Sequence, residues 1–225
     1  MAQGISEVLT YAIGVAISAL AIIAVILMLF SRRAKVNGLM FLLGWVLALA
    51  AVSGVAYAIS DAGNASTSTT AADTVSWSQI VFGVLFVLLA GRSWRNRPEP
   101  GAGTQMPKWM AGIDSFAPGK ALGLGLLLGG ANPKNLLLEV GAGSALALSG
   151  PSTSEAVVSL IVFVIVGSLT IAGPVVFYLV GGDRATAPLD SAKAWLVVHN
   201  DAVMTVLFLV FGVDLIAKGI PPLTG

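Results

Sequence analysis

Six long apolar stretches, separated by short polar segments, constrain this chain more than any other feature of its sequence. They run approximately over residues 5–30, 37–60, 75–92, 119–149, 156–181 and 195–217. A helix that crosses the hydrocarbon core of a bilayer needs about 20 mostly apolar residues. The sequence therefore predicts an all-α, polytopic membrane protein with six transmembrane helices.

The composition narrows the function classes. Charged residues make up only 10% of the chain, against about 25% in a soluble domain, which excludes an ordinary water-soluble fold. The formal net charge is +1 and the basic residues form no stripe, which argues against nucleic-acid binding. With no cysteine and one histidine, the sequence predicts no metal site and no cofactor.

The basic residues predict the orientation. Ten of the twelve Lys and Arg lie in the segments 31–37, 92–120 and 182–195, whereas the segments 61–74 and 150–155 contain none. Cytoplasmic loops carry the excess of Lys and Arg, so we expect both termini outside. The residues before the first apolar stretch include Glu7 but no Lys or Arg, so we interpret this stretch as a retained helix rather than a signal peptide.

A weak internal repeat divides the chain. Val84-Leu85-Phe86 recurs as Val206-Leu207-Phe208, 122 residues later, although chance matches are easy in such a composition. Three helices per half is an odd number, so the second half would be inverted in the membrane, as in many transporters. We therefore predict a 3+3 inverted repeat, with a three-helix repeat at 1–92, a cytoplasmic linker at 93–118 and a second repeat at 119–225.

The fourth stretch predicts an interrupted helix. Its 31 residues exceed one straight crossing of the ~30 Å hydrocarbon core at about 1.5 Å per residue. Gly129-Gly130-Ala131-Asn132-Pro133 lies in its middle, and Pro133 both removes a backbone donor and disfavours helix at the preceding residue. The alternative is a helix that starts near residue 128, with Pro133 in its first turn and Lys134 reaching to the membrane interface.

Polar side chains in these apolar stretches are the candidate substrate-binding residues, because intramembrane charges are costly and mark functional sites. Ser18, in the first stretch, either lines a cavity or bonds the carbonyl one turn back. The complete set is Asn132, Pro133, Lys134, Asn135, Glu139 and Ser18.

A second set lies at the start of the sixth stretch. Histidine titrates near physiological pH, so His199, Asn200 and Asp201 form a candidate gate that responds to protons. The alternative is that one of them caps the N-terminus of the sixth helix.

The chain also resembles a known family. Gly130-Ala131-Asn132-Pro133-Lys134-Asn135 is similar to the Asn-Pro-Lys signature of the lysine-exporter superfamily, and the whole chain resembles its actinobacterial sulfolipid-addressing or glycopeptidolipid-addressing branch. Further matching stretches include Phe41-Leu42-Leu43-Gly44-Trp45 and Gly167-Ser168-Leu169-Thr170. Members tend to carry prolines in the first helix where this chain has Ser18-Ala19-Leu20-Ala21, which argues against a symmetric break there.

This resemblance implies a six-helix transporter, or an export accessory, that moves cell-envelope glycolipids or related amphiphiles outward. Lys134 would attract an anionic headgroup, Glu139 would balance its charge or carry a proton, and the two asparagines would supply hydrogen bonds. The alternative is a non-transporting scaffold that docks a larger lipid exporter or synthase through the 92–118 linker. No paired Asp motif, zinc set or serine–base pair suggests an enzyme, and two GxxxG spacings at residues 119–129 permit a homodimer.

Labelling the 61–74 loop tests the predicted topology. A tag in this loop is expected to react with an impermeant reagent in intact cells, because the loop lacks Lys and Arg and is predicted to lie outside. Labelling that appears only after lysis would show that the assigned orientation is wrong.

Overall fold

The computed structural model describes residues 2–64, 70–95 and 116–220. Over these ranges it contains eight α-helices and no strand, so the all-α class is confirmed. The helices are α1 (Ala2–Ala16), α2 (Ala19–Leu29), α3 (Ala34–Asn64), α4 (Thr70–Arg95), α5 (Pro118–Gly130), α6 (Pro133–Leu148), α7 (Thr153–Gly181) and α8 (Thr186–Gly219). Most of the predicted 93–118 linker and the middle of the 61–74 loop lie outside the described residues.

The eight helices follow the six apolar stretches because the first and the fourth stretch are each broken in two. By length and composition, two helical stretches of the described chain, Ala34–Gly63 and Thr153–Ala217, can cross a membrane. The bent pair Gln3–Ala16 and Ala19–Leu29 makes a third if it counts as one span. These apolar helices identify a membrane protein.

The helix ends follow from local sequence signals. Ser152 caps α7 in a capping box, in which its hydroxyl accepts from the Glu155 N–H and its own N–H donates to the Glu155 carboxylate. Gly182 follows α7 with a φ of 55°, a left-handed conformation that glycine adopts without strain. A short 3₁₀ turn (Gly182–Ala185) then leads directly into α8.

The chain divides into two compact units. The first comprises Met1–Ala58 with Gln105–Val197, and the second comprises Ile59–Thr104 with Val198–Gly225. In the first unit, α1 packs against α6 and α7, and the largest fully buried side chains include Trp45, Tyr11, Phe41 and Phe163. The proposed division into two three-helix repeats and a linker stays a prediction.

In the second unit, α4 and the last part of α8 approach closely through two glycines. A Cβ on Gly83 would lie 2.8 Å from the Gly212 carbonyl oxygen, and a Cβ on Gly212 would lie 2.8 Å from the Gly83 carbonyl oxygen. The rings of Phe86 and Phe208 stack beside this contact, with centroids 5.6 Å apart. Glycine thus lets the two backbones come together, as is typical of membrane helices.

Glycines also let α5 pack closely against α3 in the first unit. A Cβ on Gly125 would collide with the carbonyl oxygen of Phe41, and one on Gly129 would lie 2.8 Å from the Ala48 Cβ. Gly119 and Gly123, which form the other GxxxG spacing, have open space where a Cβ would lie. Only the second of the two GxxxG spacings therefore packs against α3.

Alanine substitution at two neighbouring glycines of α5 tests this packing. Gly125→Ala is expected to lower the free energy of unfolding by about 1–3 kcal/mol, because overpacking moves backbone. Gly123→Ala, the matched control, is expected to leave stability unchanged or to raise it by up to about 1 kcal/mol through helix propensity. Unfolding of the purified variants in detergent measures both values, and equal stability of the two variants would contradict the packing described.

Candidate functional site

The fourth apolar stretch is interrupted where the sequence predicts. The α5 helix ends at Gly130 and α6 begins at Pro133, with Asn132 extended at φ −69° and ψ 121° between them. Pro133 occupies the first turn of α6, where its missing N–H needs no partner. The alternative of a helix that simply starts near residue 128 is wrong, because residues before Asn132 form the separate helix α5.

Polar side chains satisfy the backbone groups that this break leaves open. The Asn132 carboxamide oxygen accepts from the Lys134 N–H at 3.1 Å. The Asn135 Nδ2 donates to the Leu128 carbonyl oxygen at 2.9 Å, which ties α6 back to the end of α5. Since lipid offers no hydrogen-bond partners, a break inside an apolar helix is stable only with such internal contacts.

The first apolar stretch is also broken, contrary to the expectation from its missing prolines. The α1 helix ends at Ala16, α2 begins at Ala19, and the two helices are bent by 57°. The break needs no proline because other helices satisfy its open carbonyls: the Thr170 hydroxyl of α7 donates to the Ala16 carbonyl. Tertiary contacts therefore support this break.

Lys134 joins the two breaks. Its Nζ donates to the Gly14 carbonyl oxygen at 2.8 Å and to the Ile17 carbonyl oxygen at 2.9 Å, both at the end of α1. Its side chain is buried, so the alternative in which it reaches the membrane interface is wrong. A helix C-terminus carries partial negative charge, and a cation there is stabilised. The Lys134 ammonium, which follows the second break, thus caps the end of α1 at the first break.

Several buried polar atoms of the first unit have no hydrogen-bond partner among the described residues. They are the hydroxyls of Ser18, Ser159 and Ser168, the Asn135 Oδ1 and both carboxylate oxygens of Glu139. The Ser18 hydroxyl does not bond the carbonyl one turn back, so that alternative is wrong. Glu139 has no exposed surface. Of the predicted substrate-binding residues, Ser18, Asn132, Pro133, Lys134 and Asn135 lie at the two breaks, and Glu139 lies one turn further along α6.

The candidate gate residues belong to the second compact unit. His199, Asn200 and Asp201 lie inside α8, far from its start at Thr186, so the alternative of an N-cap is wrong. The start of α8 is compatible with Pro188, which is tolerated in a first turn, and Lys193 pairs with Asp190 along the helix. The Asn200 Nδ2 donates to the Asp201 carboxylate at 3.2 Å. Their role as a gate stays a prediction.

Sequence reasoning assigned no role to Thr170 or to Trp45. The Trp45 Nε1 donates to the Gly167 carbonyl oxygen at 3.3 Å and so ties α3 to α7 three residues before Thr170. The available signal was a lone threonine within the apolar α7 stretch, which by itself does not distinguish a local bond from a tertiary one.

Comparison with known proteins supports one family. The model of the family described as "Sap, sulfolipid-1-addressing protein" matches residues 8–221, which include both helix breaks. No curated protein and no solved structure matches the chain.

Substitution of Lys134 tests the contact between the breaks. Lys134→Met keeps the length of the side chain but leaves the Gly14 and Ile17 carbonyls without their donor, at an expected cost of about 1–3 kcal/mol for each buried group left unpaired. Lys120→Met, at an exposed position of α5, is expected to change stability by less than about 0.5 kcal/mol. Unfolding in detergent measures the difference, and equal stabilities would show that the contact does not support the fold.

Proposed function

The chain belongs to the sulfolipid-1-addressing protein family, and from this premise we propose that it is a translocator that exports an anionic cell-envelope lipid or glycolipid across a bacterial inner membrane. The observation that carries the proposal is the meeting of two helix breaks through the buried ammonium of Lys134. Secondary transporters build their substrate sites from such discontinuous helices, near the middle of the membrane.

The order of the helices supports a 3+3 inverted repeat. A broken helix pair, α1 and α2, is followed by α3 and α4, and a second broken pair, α5 and α6, is followed by α7 and α8. The stretch Thr153–Ala217 contains 65 residues; at about 1.5 Å per residue it is some three times longer than the hydrocarbon core, so it suits two crossings rather than one. Six crossings, with the basic segments in the cytoplasm, place both termini outside.

Lys134 is suited to an anionic headgroup because an ammonium has three donors. Two of them bond the Gly14 and Ile17 carbonyl oxygens, which leaves one for a sulfate, phosphate or carboxylate oxygen. The two α1 carbonyls also hold the ammonium in place, so a headgroup that arrives there meets an oriented donor. Asn132 and Ser18 lie at the same two breaks and would add hydrogen bonds.

An apolar groove of about 280 Å³ lies on the first unit, between α3 and α7. Its lining on α7 runs from Val157 to Ile165, and the lining includes Ala50 of α3. The residues of α7 that line the groove thus precede Ser168 and Thr170 in the sequence of the same helix. An amphiphile needs an apolar channel beside a polar site, so this groove suits an acyl chain.

A scaffold role is the second candidate, and one observation favours it. Both described hydrogen bonds of the Lys134 ammonium go to backbone carbonyls, which is what a purely structural lysine would do. In this case the 93–118 linker would bind the partner, a larger envelope-lipid exporter or synthase, and the chain would move no lipid itself.

Reconstitution tests the translocator proposal. Purified protein in vesicles is expected to move a fluorescent sulfated glycolipid between leaflets, and a neutral glycolipid with the same acyl chains much more slowly, because Lys134 provides the charge. Lys134→Arg is chosen as the variant, since it keeps the charge but not the compact three-donor geometry, and movement is expected to fall about tenfold. Lys120→Arg is the matched control and is expected to behave as the wild type.

Deletion of residues 97–108 separates the two candidates. A translocator without this part of the linker still moves the sulfated glycolipid in vesicles, whereas a scaffold loses its partner in pull-downs from native membranes. If the intact protein moves no lipid in vesicles and the deletion abolishes partner binding, the translocator proposal is wrong.

A further inference from the structure

The unpartnered atoms beside the helix breaks share one chemical property, which the function proposed above does not use. Asn135 Oδ1 and the two Glu139 oxygens accept hydrogen bonds and cannot donate them when the carboxylate is ionised, and the Ser168 hydroxyl adds a further oxygen. Lys134, the basic residue of this region, directs its ammonium to α1. What is missing here is therefore a donor or a cation, not an anion.

These oxygens lie at one level of the first unit. Asn135 and Glu139 are four residues apart on α6 and so share a helix face. A Cβ on Gly141 of α6 would meet the Tyr11 ring at 2.7 Å, and a Cβ on Gly167 of α7 would come within 3.8 Å of the Ala12 carbonyl oxygen. The α6 segment that follows Glu139 and the α7 segment at Ser168 therefore flank the same turn of α1.

The burial of the cluster limits the size of its ligand. Asn135 and Glu139 have no exposed surface and Ser168 is 5% exposed, so a sugar or a lipid headgroup does not reach them in this conformation. An ionised carboxylate without a partner is strongly destabilised in an apolar interior. A bound ion satisfies several oxygens at once, whereas a single proton pairs with one.

We propose that Glu139, Asn135 and Ser168 form a binding site for a small monovalent cation, Na⁺, between α6 and α7. Hard cations prefer oxygen ligands, and the donor set is a carboxylate, an amide carbonyl and a hydroxyl. The end of a broken helix is a recurrent place for Na⁺ in transporters, and Asn135 bonds the Leu128 carbonyl at the end of α5.

The charge of the site argues for a monovalent ion. One carboxylate balances one positive charge, and in the described residues no group of three or more His, Asp or Glu side chains is placed to hold a metal ion, so a divalent cation would remain uncompensated. Lys134 opposes a second cation, but at 3.6 residues per turn it lies about 140° around α6 from Glu139. Its ammonium is also engaged with the Gly14 and Ile17 carbonyls of α1.

Thermal unfolding with different salts tests the site without any lipid, so its outcome is separate from that of the translocator proposal. The purified protein in detergent is titrated with NaCl, and choline chloride maintains constant ionic strength. Na⁺ is expected to raise the Tm of the wild type in a saturable way, because a ligand that binds the folded state stabilises it. Glu139→Gln, which keeps the shape of the side chain, is expected to abolish the Na⁺-dependent shift.

Two serine variants provide the matched comparison if Glu139→Gln does not fold. Ser168→Ala is expected to raise the half-maximal Na⁺ concentration by about tenfold, since loss of one group around a bound metal typically costs 10–100-fold in affinity. Ser53→Ala, at a buried serine whose hydroxyl already bonds the Leu49 carbonyl at 2.6 Å, is expected to keep the wild-type value.

Three results would overturn the cation site. They are a Tm of the wild type that does not respond to Na⁺, an equal response in Ser168→Ala and Ser53→Ala, and stabilisation that depends on pH and on Glu139 but not on Na⁺. The last result would mean that Glu139 binds a proton instead.

Discussion

The two hydrogen bonds from the Lys134 ammonium to the end of α1 are the interaction on which the rest of the described core depends. A helix that stops inside an apolar layer leaves carbonyls that lipid cannot satisfy. Here a residue that follows the second break supplies the donors that the first break lacks. The second break therefore helps to stabilise the first, and the α1–α6 contact rests on hydrogen bonds as well as on apolar packing.

This dependence explains what the sequence can and cannot predict. The break before Pro133 is predictable because proline removes a donor from the chain itself, and the adjacent charge marks it as a candidate functional site. The break before Ser18 has no such local signal. Its partners are Lys134 and Thr170, which lie more than a hundred residues away. Periodicity and composition depend only on the residues of the helix itself. They therefore cannot predict a break whose hydrogen-bond partners lie on other helices.

The glycines of α5 and the start of α8 are two further features that the sequence alone does not predict. Gly119-x-x-x-Gly123 and Gly125-x-x-x-Gly129 have identical spacing, yet only the second faces α3, because the direction of a helix face depends on its neighbours. The polar residues before 195 suggested a linker, and His199 to Asp201 a helix start. The chain instead begins α8 at Thr186, where a positive-φ glycine and a 3₁₀ turn have already ended α7.

The region near the breaks separates its donors from its acceptors. On the α1 side of α6, the ammonium of Lys134 donates both of its described hydrogen bonds to backbone carbonyl oxygens. On the face that carries Asn135 and Glu139, the oxygens have no partner in the described chain. An anionic headgroup would be attracted to the remaining donor of Lys134.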